Sequence, residues 1–153
     1  MKLMLILLLL ITSLMAVVGA FLTTSVSSFY INTFYQQMAG VFGEEHRDFV
    51  SDLRAEAAHE DGAEQLQELM KAYAGELGID YRSRNYFILD GHTGRFLSGS
   101  AGEESLPREQ TANLLTARNA VAQNDPFLVG DESDITADYM DVAIPIMGGD
   151  NAY

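Results

Sequence analysis

Arg82, Arg84, His92 and Arg95 gather four basic side chains in one short stretch. A guanidinium is a planar fork of donors that grips a carboxylate through two parallel hydrogen bonds. If a small molecule binds, it is expected near this stretch, contacted by Arg82, Arg84 or Arg95, with His92 among them. The default reading leaves the same side chains solvated, or paired with Glu76, Asp80 and Asp90.

A second group, Asp131, Glu132, Asp134, Asp138 and Asp141, concentrates oxygen ligands of the kind that hold Ca²⁺ or Mg²⁺. Its spacing lacks the fixed glycine and terminal glutamate of an EF-hand loop. A solvated acidic loop is the default reading, and no metal is assigned. His46 and His59, with Glu44, Glu45 and Glu60 nearby, do not fall on one helical face or in one close turn, as zinc ligands would. Ser25, Ser27 and Ser28 have no base partner, so nucleophilic catalysis has no support. No glycine-rich nucleotide loop follows a strand. The sequence thus predicts neither a catalytic residue nor a cofactor.

Charge narrows the partners. Of 153 residues, Lys2 is the only charged one before Glu44, and all 22 acidic residues lie from Glu44 onward with eight basic ones. That part carries a formal charge of −14. Such a field repels nucleic acid and anionic headgroups, which excludes nucleic-acid binding. There is no cysteine, so neither a disulfide framework nor a thiolate metal site exists.

The elements that must position these residues begin with a membrane segment. Leu3 to Leu22 is apolar apart from Thr12 and Ser13, whose hydroxyls can bond back to helix carbonyls. At ~1.5 Å per residue it matches a hydrocarbon core of about 30 Å. Lys2 predicts a cytoplasmic N-terminus, with the acidic part outside. A cleaved signal peptide, ending near Val18-Gly19-Ala20, is the rival reading. Phe29, Tyr30, Phe34 and Tyr35 supply an interfacial aromatic belt. Tyr30, Phe34, Met38 and Phe42 recur every four residues, with Phe49 and Leu53 near the same stripe. One helix continuing from the span through Leu53 is expected, against a span ending near Ser28 and a separate amphipathic helix. Gly40 and Gly43 are its weak points.

Beyond it, Ala63 to Leu77 predicts a second helix with Gly78 as its left-handed cap. Asp80 to Arg84 is a connector. Asn85 to Asp90 and Arg95 to Ser98 read as a hairpin around Gly91-His92-Thr93-Gly94, with both glycines supplying positive φ. A helix is expected from Arg108 to Asn119, after Pro107, anchored by Leu114 and Leu115. Pro126 to Val129 could pair as a short strand. Asp138 to Met147 alternates as a half-buried strand lying beside the hairpin, with Pro145 at an end or an edge. Gly148-Gly149-Asp150-Asn151 is turn chemistry, and Ala152-Tyr153 begins another strand, as if the chain were a fragment cut after its last turn.

This order resembles the extracytoplasmic PAS-like (Cache-type) sensor region of bacterial membrane-bound sensor histidine kinases, especially Gram-positive ones with a HAMP linker. The resemblance is carried by Phe29-Tyr30-Ile31-Asn32 with Phe34-Tyr35, by the 73–80 stretch YAGELGID, by Asn85 to Asp90 with Gly94, and by Asp138-Tyr139-Met140-Asp141 leading to Ala143-Ile144-Pro145-Ile146. It implies an α+β fold: residues 1–28 as cytoplasmic tip and transmembrane helix, and 29–153 as a sensor domain with a small antiparallel sheet. It implies a homodimer in the cell membrane, with Tyr30, Phe34, Met38 and Phe42 as its seam and Phe49 and Leu53 turned to the core. It implies a small carboxylate or a protein as stimulus, and a response regulator reached only through a C-terminal part absent from this sequence. His46, His59 and His92 lie on the wrong side of the membrane for phosphotransfer from ATP. Two other classes fit the same residues: the sensor module of a chemoreceptor or cyclic-dinucleotide enzyme, and a membrane-tethered acidic binding protein without a signalling role.

Overall fold

The computed structural model describes residues 1–43, 47–79, 84–133 and 139–153. The fold is α+β, with a long apolar N-terminal helix and small antiparallel pairings. Two compact units divide it, Met1–Phe34 and Tyr35–Tyr153.

Helix α1 runs without interruption over Lys2–Phe42. It meets the length and composition of a membrane span, with a mean hydropathy of 2.8 over an 18-residue window, which an N-terminal signal sequence meets as well. Thr12 donates to the Leu8 carbonyl at 2.8 Å, and Thr23, Thr24 and Thr33 do the same one turn back. These bonds give each hydroxyl a partner on its own helix.

The helix passes Ser28 and Gly40 and stops at Gly43, so the expected continuity to Leu53 is corrected. A Cβ on Gly40 would meet nothing within 4 Å, whereas one on Gly43 would overlap the Ala39 carbonyl oxygen. Gly43 lies against the last turn of its own helix, and only glycine permits that approach. Helix α2 then spans Arg47–Ala57.

In the second unit, Phe42 packs on Phe49 (ring centroids 5.5 Å apart) and Phe49 on Tyr73 (4.1 Å). Phe49 is 1% exposed, and Leu53, Ala57 and Leu66 are buried with it. The second predicted helix is two: α3, Gly62–Ala72, and a single turn α4, Ala74–Leu77. Gly78 closes α4 in the left-handed conformation, φ 74°. Strands β1 (Phe87–Leu89) and β2 (Phe96–Gly99) form the expected hairpin.

Helix α5 covers Ala112–Gln123, four residues later than expected at each end. Thr111, not the Pro107 region, caps it: its hydroxyl accepts from the Leu114 N–H at 3.2 Å. Leu114 is half-buried and Leu115 exposed. The inward stripe is Asn113, Ala117, Ala120 and Val121.

The long strand over Asp138–Met147 does not form among the described residues. Gly130 and Ala143 exchange both backbone bonds in one isolated bridge, and a two-residue strand β3 (Met147–Gly148) pairs with β4 (Asn151–Ala152). Pro145 is fully buried and lies two residues before β3. The two ribbons are separate sheets, not one. Among the described residues one backbone bond links them, from the Gly91 N–H to the Ala152 carbonyl at 2.8 Å.

Candidate functional site

The turn between β1 and β2 is organised by one carboxylate. Asp90 Oδ1 accepts from the backbone N–H of both His92 and Thr93 at 2.9 Å. The Thr93 N–H is the main reason its carboxyl is held below the usual carboxylate range; partial burial opposes it, and the His92 N–H adds to it. Gly94 takes φ 74°, as the turn requires, but Gly91 does not. Glycine at 91 serves approach instead: a Cβ there would lie 2.8 Å from the Ala152 carbonyl carbon.

Between this turn and α5 lies a half-open cleft of about 300 Å³, lined by Gly91, His92, Leu115, Arg118, Asn119 and Val121. That is the lower end of small-molecule pocket sizes. Arg118 lies across Gly94, its guanidinium carbon 3.1 Å from where a Cβ would stand. Its Nε is buried and, among the described residues, has no acceptor.

The predicted basic residues separate. His92 lines the cleft, and Arg95 is exposed outside it. Arg84 donates to Gln37 Oε1 at 2.6 Å and to the Leu77 carbonyl at 3.1 Å, tying α1 to α4 within the second unit. Arg82 lies outside the described residues, as do His46, Asp134 and Asp138. Arg118 went unassigned in the sequence. Its signal was position: it sits between Ala117 and Ala120–Val121 on the buried stripe of α5, so its stem must leave the core at the rim of the hairpin.

Within the acidic run, the Asp141 side chain belongs to a structural network. Thr111 donates its hydroxyl to Asp141 Oδ2 in a short bond. Buried Asn113 donates to the Asp141 carbonyl and carboxylate and accepts from the Glu132 N–H at 2.9 Å. A carboxylate at the start of α5 also suits the helix dipole. Asp131 and the Glu132 side chain are exposed, and among the described residues no three His, Asp or Glu side chains gather as a metal site would need.

The four seam residues differ in exposure. Tyr30 is 62% exposed, Phe34 and Met38 are buried, and Phe42 is half-buried on Phe49. In the single chain they are not one open stripe.

Searches against family models, curated proteins and solved structures find no match for this chain.

Proposed function

We propose that this chain is the extracytoplasmic input region of a membrane-bound sensor, most simply a PAS-like sensor of a two-component histidine kinase. The observation that carries the reading is the continuity of α1: the same helix holds the apolar segment and Phe42, whose ring packs on Phe49. A change in packing around Phe49 acts directly on the end of that helix. Small shifts or rotations of a helix are the usual way such a change is passed on. The order of helices, hairpin, helix and terminal hairpin supports the PAS-like assignment. The N-terminus is cytoplasmic and the acidic unit outside, because Lys2 is the sole basic residue flanking the segment on either side before Arg47.

The receptor works as a homodimer paired along α1, with Tyr30 as the exposed member of the seam. The deciding experiment reads the gene beyond Tyr153. A second spanning segment followed by a cytoplasmic histidine kinase is expected. A stop codon with no second span would leave a tethered acidic binding protein instead. Reporter fusions after Gly43 check orientation: activity of a cytoplasm-only reporter there would refute the topology.

A further inference from the structure

We propose that Gln37 is a positioning residue that sets the rotation of the end of α1, as a two-sided pin between the C-terminus of α4 and Arg84 at the base of the β1–β2 hairpin. The case begins with where Gln37 stands. From Leu3 to Gly43 the chain carries no charged side chain, and Met38 and Val41 beside Gln37 are buried. Apolar burial is non-directional, so it holds a helix in place without fixing closely how far it is turned. A hydrogen bond weakens steeply when misaligned, and a glutamine amide carries donors and an acceptor on one plane. Gln37 uses both ends. Its Nε2 donates to the Glu76 carbonyl at 2.7 Å, and its Oε1 accepts from Arg84 Nη1 at 2.6 Å.

The partners are themselves fixed. Arg84 Nη1 also donates to the Leu77 carbonyl at 3.1 Å. Glu76 and Leu77 are the last two residues of α4, where helix carbonyls have no partner within the helix. The Gly78 and Ile79 N–H groups donate to the Gly75 and Ala74 carbonyls, which leaves those of Glu76 and Leu77 to Gln37 and Arg84. Arg84 stands two residues before Tyr86, which is buried and tied to Ser100, just beyond β2. The Ser100 N–H donates to the Tyr86 carbonyl and the Tyr86 N–H to Ser100 Oγ, both at 3.0 Å. A displacement of the hairpin base therefore reaches Gln37 through Arg84, and α1 turns with it or gives up a bond. The inference deepens the sensory reading by naming the joint that couples the hairpin to the helix, and rests on that reading only for calling the turn a signal.

The test uses the full chain in detergent micelles, diluted into unlabelled chain. Nitroxides are carried by A39C on α1 and A122C on α5, both exposed helical positions of this cysteine-free chain. Pulsed electron resonance reads the distance between the labels, and one narrow distribution is expected in the parent. Q37M keeps the bulk of the side chain and removes its hydrogen bonds, and should widen the distribution about twofold or more. R84M should do the same, and the double variant should add little to either, because both side chains act through one joint. Q37E keeps the acceptor for Arg84, loses the donor to the Glu76 carbonyl and should fall between parent and Q37M. Q36M, on the exposed face, should change nothing. If R84M fails to fold, Q37M and Q37E decide the matter alone. An unchanged distribution in Q37M, or widths that add in the double variant, would overturn the proposal and leave apolar packing to set the rotation. Such a failure removes the pin and leaves the sensory reading to the gene's continuation, which decides that reading independently.

Discussion

The side-chain amide of Asn151 donates to the carbonyl of Ala57 at 2.9 Å, and also to that of His59 at 3.0 Å. Ala57 ends α2, where helix carbonyls have no partner within the helix. Asn151 thus closes that helix from a strand 94 residues away. Asn151→Ala is expected to cost about 1–2 kcal/mol. Asn151→Asp should cost more, because it replaces donors with a negative charge at the negative end of a helix. Denaturant midpoints of the two variants check the order; equal midpoints would mean that the amide contributes only volume.

Phe49 stands between the rings of Phe42 and Tyr73 and is almost wholly enclosed. Phe49→Ala should lower the stability of the second unit by about 3–5 kcal/mol, and Phe49→Leu by clearly less. Chemical unfolding followed by tyrosine fluorescence would show it. A loss below about 1 kcal/mol would mean that the stack is not part of the core.

Two glycines give opposite expectations. At Gly40 an added Cβ meets nothing, so Gly40→Ala should stabilise α1 by about 0.5–1 kcal/mol. At Gly148 a Cβ would overlap backbone atoms of Arg54 and Ala58, so Gly148→Ala should push β3 off α2 at a cost of about 1–3 kcal/mol. Thermal melts of the pair, moving in opposite directions, are the check.

Asp90 makes the β1–β2 turn sensitive to acid. Its folded-state pKa lies below the unfolded value of about 3.9, so the stabilisation is fully present above that value. It is lost as pH falls through the lower, folded-state value. Asp90→Asn keeps an acceptor oxygen and removes the titration. Hydrogen exchange at the His92 and Thr93 amides, corrected for intrinsic rates, should open below about pH 4 in the parent and stay level in the variant. Parallel behaviour of both proteins would refute the assignment.

Local chemistry was legible in the residues themselves. The apolar run from Leu3 to Leu22 was readable as one long helix, because leucine, methionine and alanine favour that conformation and no proline interrupts it. Gly78, the 90–94 turn and Gly149 were readable for a similar reason: a left-handed or tightly turned backbone selects its residue type locally. Tertiary structure decided the rest. Asp138 to Met147 has strand alternation, yet a strand exists only where a neighbour offers its hydrogen bonds, and among the described residues Gly130 offers one bridge to Ala143 and the terminal hairpin pairs only Ile146 and Met147. Gly43 and Gly91 matter for what approaches them, Ala39 and Ala152, which composition does not record. Arg84 and Arg118 carry the same side chain in the sequence. Packing gave the first a glutamine and a carbonyl, and brought the second to the rim of a cleft, where its Nε has no acceptor among the described residues. What an arginine can bind is set by its chemistry, but what remains for it to bind is set by the neighbours that folding supplies.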